Sequence, residues 1–298
     1  MRVLVIGALG QLGTDICVEL ANEELCRADL DSDDIILDVT ERQAVHTCIA
    51  DFAPSIVINA AAEHEVETCE AHPERAFQVN ATGAFYVAQA CAAVKARLVH
   101  ISTDYVFGGR PPKPLRPYRE TDIPAPLNVY GASKRAGEHL IAAVCPDHII
   151  VRTAALYGLA PCRGKGGRNF VETMLTLASS GRDIKVVTDI HTSPTYTLAL
   201  ARQLRMLAEK AEPGIYHAAC AGACSWYEFA QAIFEEMGIA APLQEAKARD
   251  FQSLVRRPAY VALDNARARS MGIDVMPDWR KALKEYAAAR RLAEHATA

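Results

Sequence analysis

The chain has 298 residues, half of them hydrophobic, with a formal net charge of −4. That length buries a sizeable core in one large domain or two smaller ones. Scattered basic residues exclude a nucleic-acid groove, and no apolar stretch is long enough and free enough of charge to span a membrane.

Arg2-Val3-Leu4-Val5-Ile6 reads as a buried strand, too short for the apolar core of a signal peptide. Glycines follow at Gly7, Gly10 and Gly13. Gly7 allows a tight turn, Gly10 lets backbone approach a pyrophosphate, and Gly13 lets the next helix pack near the strand. That helix, from about Gln11 to Asn22, aims its N-terminal amides at the anion. The second strand is predicted over Leu25–Asp29, and Asp29 has the spacing of an acid for the ribose hydroxyls of NAD. Arg27 and Arg2 instead suit the extra phosphate of NADP, so cofactor choice stays open. Asp34–Leu37 forms a third strand ending in Asp38-Val39. Thr40 to Gln43 reads as a capping box, which leaves the Asp38 carboxylate free for the adenine amino group.

Ser55–Asn59 is a strand ending in Ala60-Ala61-Ala62. One helix is predicted from Pro73 to Ala93, with Asn80 inside it. Arg97–Ile101 is a strand ending in Ser102-Thr103-Asp104, Asn128 to Val144 is helical, and His148–Arg152 is another strand. Repeated βα units of this length imply a doubly wound parallel α/β sheet of Rossmann type, with ligands at the carboxyl ends of the strands. Residues 1–152 are read as the dinucleotide-binding domain and 153–298 as a smaller mixed α/β domain. Within the latter come a Gly-, Arg- and Lys-rich loop over 158–169, a helix over 170–180 and a strand over 183–187. A helix over 195–208 is expected to pack back, with the segment 191–212, onto the first domain. Gly214–Ala218 is a strand, Ser225–Glu228 a capping box, and Pro277 opens the last helix, with a polar tail after about Arg290. The nine cysteines lack paired metal-site spacing; they read as reduced thiols of a cytosolic protein with no metal site.

Tyr130 and Lys134 are four apart on one helix and so share a face. A free phenol has a pKa of about 10, and an adjacent ammonium is expected to lower it toward useful acid strength. Lys134 also suits a hydrogen bond to the nicotinamide ribose. Thr103, at a strand end, offers a hydroxyl to a carbonyl oxygen. With the glycine cradle upstream, this trio points to a nicotinamide-dependent carbonyl reductase.

On these residues the chain resembles the dTDP-4-dehydrorhamnose reductases, extended short-chain dehydrogenases/reductases. The likeness runs through Gly10-Gln11-Leu12-Gly13, Leu37-Asp38-Val39-Thr40, Asn59–Ala62, His100–Phe107, Asn128–Gly131, Asn169-Phe170-Val171, Ser193-Pro194-Thr195, Gly214–His217, Ser225–Ala230, Arg256-Arg257-Pro258 and Pro277–Arg280. The resemblance implies reduction of a 4-keto group on a dTDP-linked 6-deoxy sugar, the last step to dTDP-L-rhamnose. NADP or NAD would serve, with NADPH slightly favoured, in a monomer or homodimer. It implies Thr103, Tyr130 and Lys134 as the catalytic trio and Thr103, Asp104 and Asn169 at the substrate. Gly7, Gly10, Gln11, Leu12, Gly13, Asp29, Asp38, Val39, Ala60, Ala61 and Ala62, with Tyr130 and Lys134, make up the expected cofactor site. One position departs: where the family commonly has a tryptophan near the sugar, this chain has Ala155. The insert from Pro161 to Arg168 is longer than usual, and its cations Arg163, Lys165 and Arg168 suit either a nucleotide diphosphate or a solvated, mobile loop. Two other readings share these motifs: a cofactor-binding regulatory subunit like the β subunit of methionine adenosyltransferase, and another sugar-nucleotide reductase or epimerase.

Overall fold

The computed structural model describes residues 1–181 and 183–297, without the side chains of Lys165, Ala296 and Thr297. Alternation along β1 (Arg2–Ile6) divides the core. Val3 and Val5 pack with Leu12 and Ile16 of α1 (Gln11–Glu19), while Leu4 and Ile6 face the other side. The chain continues through β2 (Glu24–Asp29), β3 (Ile35–Ile36), α2 (Arg42–Phe52) and β4 (Ile56–Asn59). The expected capping box at Thr40 does not form. Glu41 precedes α2 without a side-chain cap, and Thr40 instead bonds Asp38.

After α3 (Val66–Ala71) and α4 (Pro73–Phe77), the single helix expected from Pro73 is interrupted by a π-helical turn, Gln78–Gly83, before α5 (Ala84–Val94). A buried polar side chain explains the interruption. Asn80 Nδ2 donates to Glu63 O at 2.8 Å and Ser133 Oγ at 3.0 Å, and its Oδ1 accepts from Glu63 N at 3.0 Å. Those bonds tie the loop after β4 to the later helix that carries Ser133, a use to which π turns are suited. β5 (Arg97–Thr103), α6 (Val129–Val144) and β6 (His148–Thr153) complete the alternating series.

The second half contains β7 (Leu156–Tyr157), α7 (Phe170–Ser179), β8 (Ile184–Val187), β9 (His191–Thr192) and β10 (Thr195–Tyr196). Then come α8 (Thr197–Lys210), β11 (Gly214–His217), β12 (Cys224–Ser225), α9 (Trp226–Met237), β13 (Leu243–Ala246), α10 (Ala266–Ser270) and α11 (Trp279–Thr297). The helix expected from Thr195 starts two residues later, because Thr195 and Tyr196 pair with β7. Leu200, Leu204 and Leu207 of α8 join the core of α1 and the sheet. β11 pairs with β6, so a strand assigned by the sequence to the smaller domain is the seventh strand of the large sheet. The capping box at Ser225 and Glu228 is complete. The polar tail expected after Arg290 stays helical to Thr297, with Tyr286 and Arg290 bound to Glu172 of α7.

The large sheet is parallel, in the order β11-β6-β5-β4-β1-β2-β3. This is a Rossmann-type doubly wound sheet. Its order reverses between β1 and β4, which opens a crevice at their carboxyl ends. Three short strand pairs, β7–β10, β9–β12 and β8–β13, support a second core around Tyr157, Tyr196, Phe229 and Tyr286. No helix among the described residues is long and apolar enough to cross a membrane.

Candidate active site

The glycine turn is as tight as its sequence predicts. Gly7 has φ +81°, and a Cβ there would lie 2.7 Å from Ala61 N. A Cβ on Gly13 would lie 2.0 Å from Gly7 O, whereas on Gly10 it would meet only Gly7 O, at 3.3 Å. Gly7 and Gly13 therefore close the turn, while Gly10 faces the cleft as the N-cap of α1. No side chain caps that helix end and no acid stands in its first turn, as an anion site requires. These features fit a dinucleotide pyrophosphate.

A cavity of about 280 Å³ runs from this turn along the strand ends. Gly7, Gly10, Gln11, Leu12, Gly13, Ala60 and Ala62 line one end, and Thr103, Asp104, Tyr130 and Lys134 the other. The topology thus gathers the expected trio beside the cradle. Gly131 explains the close seat of Tyr130: a Cβ there would lie 2.1 Å from Tyr105 O, so α6 begins against the end of β5. Asn128 Oδ1 caps the helix by accepting from Gly131 N at 2.9 Å. Thr103 Oγ1 donates to Asp104 Oδ1 at 3.1 Å and accepts from Tyr105 N at 3.1 Å. Thr192 Oγ1 donates to Asp104 Oδ2 at 3.4 Å.

The electrostatics differ from the expectation for the phenol. Burial raises Tyr130 above its ordinary value, with Thr103 pulling the other way and Asp104 adding to the rise. Lys134 is itself buried, 2% exposed, and the net effect on the phenol is a rise rather than the expected fall. Lys134 Nζ lies 3.3 Å from His100 Nε2. Burial pulls Lys134 down to about 8 and pushes Asp104 up to about 7. An ammonium only donates, so His100 accepts through Nε2 and carries its proton on Nδ1. Behind the site, Glu138 holds Arg152 through two hydrogen bonds of 2.8 and 2.7 Å and accepts from Ser102 Oγ at 2.6 Å.

Other expected residues stand away from the cleft lining. Asp29 Oδ2 accepts from Leu9 N at 2.9 Å and Oδ1 from Leu30 N at 2.8 Å, so its carboxylate secures the glycine turn. Asp38 is not the free carboxylate expected, since Oδ1 accepts from both Thr40 N and Thr40 Oγ1. Val39 is buried under Gly83. Ala61 N donates to Asn59 Oδ1 at 3.1 Å, which shapes the turn between Ala60 and Ala62. Asn169, expected at the substrate, caps α7 through Glu172 N and holds Gly158 O through Nδ2, so its side chain binds the chain itself. Neither arginine proposed for an extra phosphate is placed for it. Arg27 pairs with Asp34, and Arg2 pairs with Glu24 at the amino end of β1, opposite Gly7. The cation near Asp29 is Arg163 of the insert, 3.7 Å from its Oδ1. The chain just before the insert meets the cradle, with Gln11 Nε2 donating to Ala160 O at 3.0 Å, and in the insert Cys162 Sγ lies 3.3 Å from His64 Nε2. The side chain of Lys165 lies outside the described residues.

Sequence reasoning missed His64, Thr153, Thr192 and Trp226, which also line the cleft. Thr153 was discoverable, because it follows a predicted strand at its carboxyl end. Thr192 comes from the second half with no motif to announce it, and Trp226 lies in the Ser225–Ala230 stretch, which the sequence reads only as a capped helix start. Ala155 lines the cleft in the left-handed region, φ +43°. A second cavity of about 660 Å³ adjoins the first and shares Ile190 and Trp226 with it.

The model of the RmlD substrate binding domain matches residues 1–292. The chain is 40% identical over 285 residues to a spore coat polysaccharide biosynthesis protein, SpsK, of Bacillus subtilis, covering 96% of each chain. It is 39% identical over 290 residues to a dTDP-4-dehydrorhamnose reductase of Mycolicibacterium smegmatis, covering 97% of this chain and 85% of that one. A dTDP-4-dehydrorhamnose reductase structure from Bacillus anthracis, in complex with NADP, superposes with a TM-score of 0.88 at 37% identity, covering 96% and 98% of the two chains.

Proposed function

Because the chain belongs to the dTDP-4-dehydrorhamnose reductase family, we propose that it reduces the 4-keto group of dTDP-4-dehydrorhamnose with NADPH or NADH to give dTDP-L-rhamnose. The observation that carries this reading is the single cleft in which Thr103, Tyr130 and Lys134 meet the glycine cradle. When bound, the reduced nicotinamide supplies the hydride. The Tyr130 phenol, raised by burial, keeps its proton at neutral pH and donates it to the sugar oxygen as charge develops there. Thr103 holds that oxygen with its hydroxyl. Lys134 holds the ribose of the cofactor and is itself oriented by His100. Asp104, bound by Thr103 and Thr192, faces the sugar. Gly7 to Gly13 and Ala60 to Ala62 receive the pyrophosphate side, and Asp29, Asp38 and Val39 stand at the β2 and β3 ends that would face the adenosine. We assign residues 1–152 together with 197–217 to the cofactor-binding part and the remainder to the substrate part. The larger second cavity, with Arg257, Phe170 and Trp226, suits the dTDP end of the substrate. Nine thiols without a disulfide fit a reducing cytoplasm.

The test follows absorbance of NADPH and NADH over a panel of dTDP-, UDP- and GDP-linked 4-keto sugars. One cofactor oxidised per dTDP-sugar is the expected result. Silence with every sugar, or product without net cofactor consumption, overturns the assignment.

A further inference from the structure

Buried hydroxyls are nearly always hydrogen-bonded, because leaving one without a partner costs free energy. Among the described residues, eight buried side-chain polar atoms lack a partner, and Thr153 Oγ1 is the only one on a residue that lines the cleft. Thr153 is 4% exposed and ends β6. It pairs in register with Thr103 at the end of β5, so the two hydroxyl-bearing residues stand side by side on neighbouring strands. The preceding residue, Arg152, reaches Glu138 of α6, and alternation turns Thr153 to the opposite face. Immediately beyond, the left-handed backbone of Ala155 bends the chain away from the sheet. The place is therefore a rigid corner with one unanswered hydroxyl.

We propose that Thr153 Oγ1 hydrogen-bonds the carboxamide of the nicotinamide and so fixes the rotation of that ring over the strand ends. The inference rests on the reductase reading above. Its chemistry follows from position. The pyrophosphate cradle lies at β1, and Thr103 and Tyr130 already serve the sugar oxygen near β5. β6 is two strands beyond β4 in the sheet, at the end of the cleft far from the cradle. The nicotinamide end of the dinucleotide carries an amide that both donates and accepts, and a threonine hydroxyl complements either atom.

The experiment uses the full chain and titrates NADPH and 2′-phospho-ADP-ribose, which lacks the nicotinamide, by fluorescence and calorimetry. For Thr153→Val the expected result is about tenfold weaker NADPH binding, the scale of one hydrogen bond. Binding of 2′-phospho-ADP-ribose should be unchanged, and the apoprotein should melt no lower, since valine removes an unpaired hydroxyl without opening a void. Thr153→Ser should restore NADPH affinity to within about threefold. If the valine variant does not fold, Thr153→Ala takes its place with the same expectations. Unchanged NADPH affinity overturns the inference, and so does equal weakening of both ligands, which would mark a purely structural role. An unchanged cofactor affinity with a raised KM for the sugar would assign the hydroxyl to the substrate instead. If the unaltered chain binds NADH and not NADPH, the same comparison is made with NADH and ADP-ribose; if it binds neither NADPH nor NADH, the reductase reading itself falls, and this inference with it.

Discussion

At the residue scale, burial raises the Tyr130 phenol and lowers Lys134 to about 8, so at neutral pH both still hold their protons in large part. That is the state needed to deliver a proton during reduction. Tyr130→Phe should therefore lower turnover by at least about 100-fold, the low end for a lost general acid, while NADPH affinity stays unchanged. Turnover near that of the unaltered chain would remove the mechanism. Lys134→Ala should also weaken cofactor binding, as read by titration. Asp104 gives a pH signature of its own. Burial pushes its carboxyl up to about 7, whereas an unfolded aspartate titrates near about 3.9. Between those values the folded chain holds the extra proton. The stability from this group is complete below the unfolded value and is lost as pH rises through about 7. Asp104→Asn removes the titration. Its melting temperature should gain on that of the unaltered chain as pH rises from about 4 to about 8. A pH-independent difference would show that the carboxyl does not titrate in that window.

At the element scale, α6 is the part that must not move. Glu138 on this helix binds Ser102 of β5 and Arg152 of β6, all nearly fully buried. Glu138→Ala would leave the Arg152 guanidinium charged and unpaired, at a cost of about 3–5 kcal/mol. Chemical denaturation should read that loss; a change under about 1 kcal/mol would mean that water or a neighbour takes over. The glycine turn offers a contrast between neighbours of one motif. Gly13→Ala places its Cβ 2.0 Å from Gly7 O and should distort the turn. Gly10→Val meets only a 3.3 Å contact at its Cβ, so the chain should fold while NADPH binding is abolished. Normal NADPH binding by that variant would refute the cradle.

At the scale of the whole molecule, the site is a seam. One wall comes from the strand ends of the large sheet, the other from Ile190, Trp226, Pro258 and Val261 of the second half. A ligand that touches both walls ties them together. Saturating NADPH at about 100 times its Kd should add about 2.7 kcal/mol of stability, read as a higher melting temperature. Ala155 is where the resemblance implies a tryptophan near the sugar and this chain has none. Its left-handed backbone already tolerates a Cβ, so a larger side chain adds no new backbone strain. Ala155→Trp should tighten the dTDP-4-keto-6-deoxy sugar by about three- to tenfold, the worth of one aromatic contact. A folded variant that loses activity on that sugar would show that another group, such as Trp226, already fills the space.

Local signals determined much of this protein from sequence alone. The alternation in β1, the spacing of Gly7, Gly10 and Gly13, and the four-residue step from Tyr130 to Lys134 are all written in short stretches of chain. So are the βα repeats, and with them the parallel sheet and the strand ends where Thr103 and Tyr130 meet. The tertiary structure decided what depends on distant partners. Asn80 breaks its helix because Glu63 and Ser133 lie within reach. β11 joins the large sheet because β6 has an open edge for it. Asp38 turns inward on Thr40, and Asn169 is held by Gly158 rather than by a ligand. Tyr130 is raised rather than lowered because the protein closes around the phenol, with Asp104 adding to the rise. Backbone geometry and periodicity act over a few residues and can be read from their order. Burial, and the partner a buried polar group finds, exist only once the chain has folded on itself.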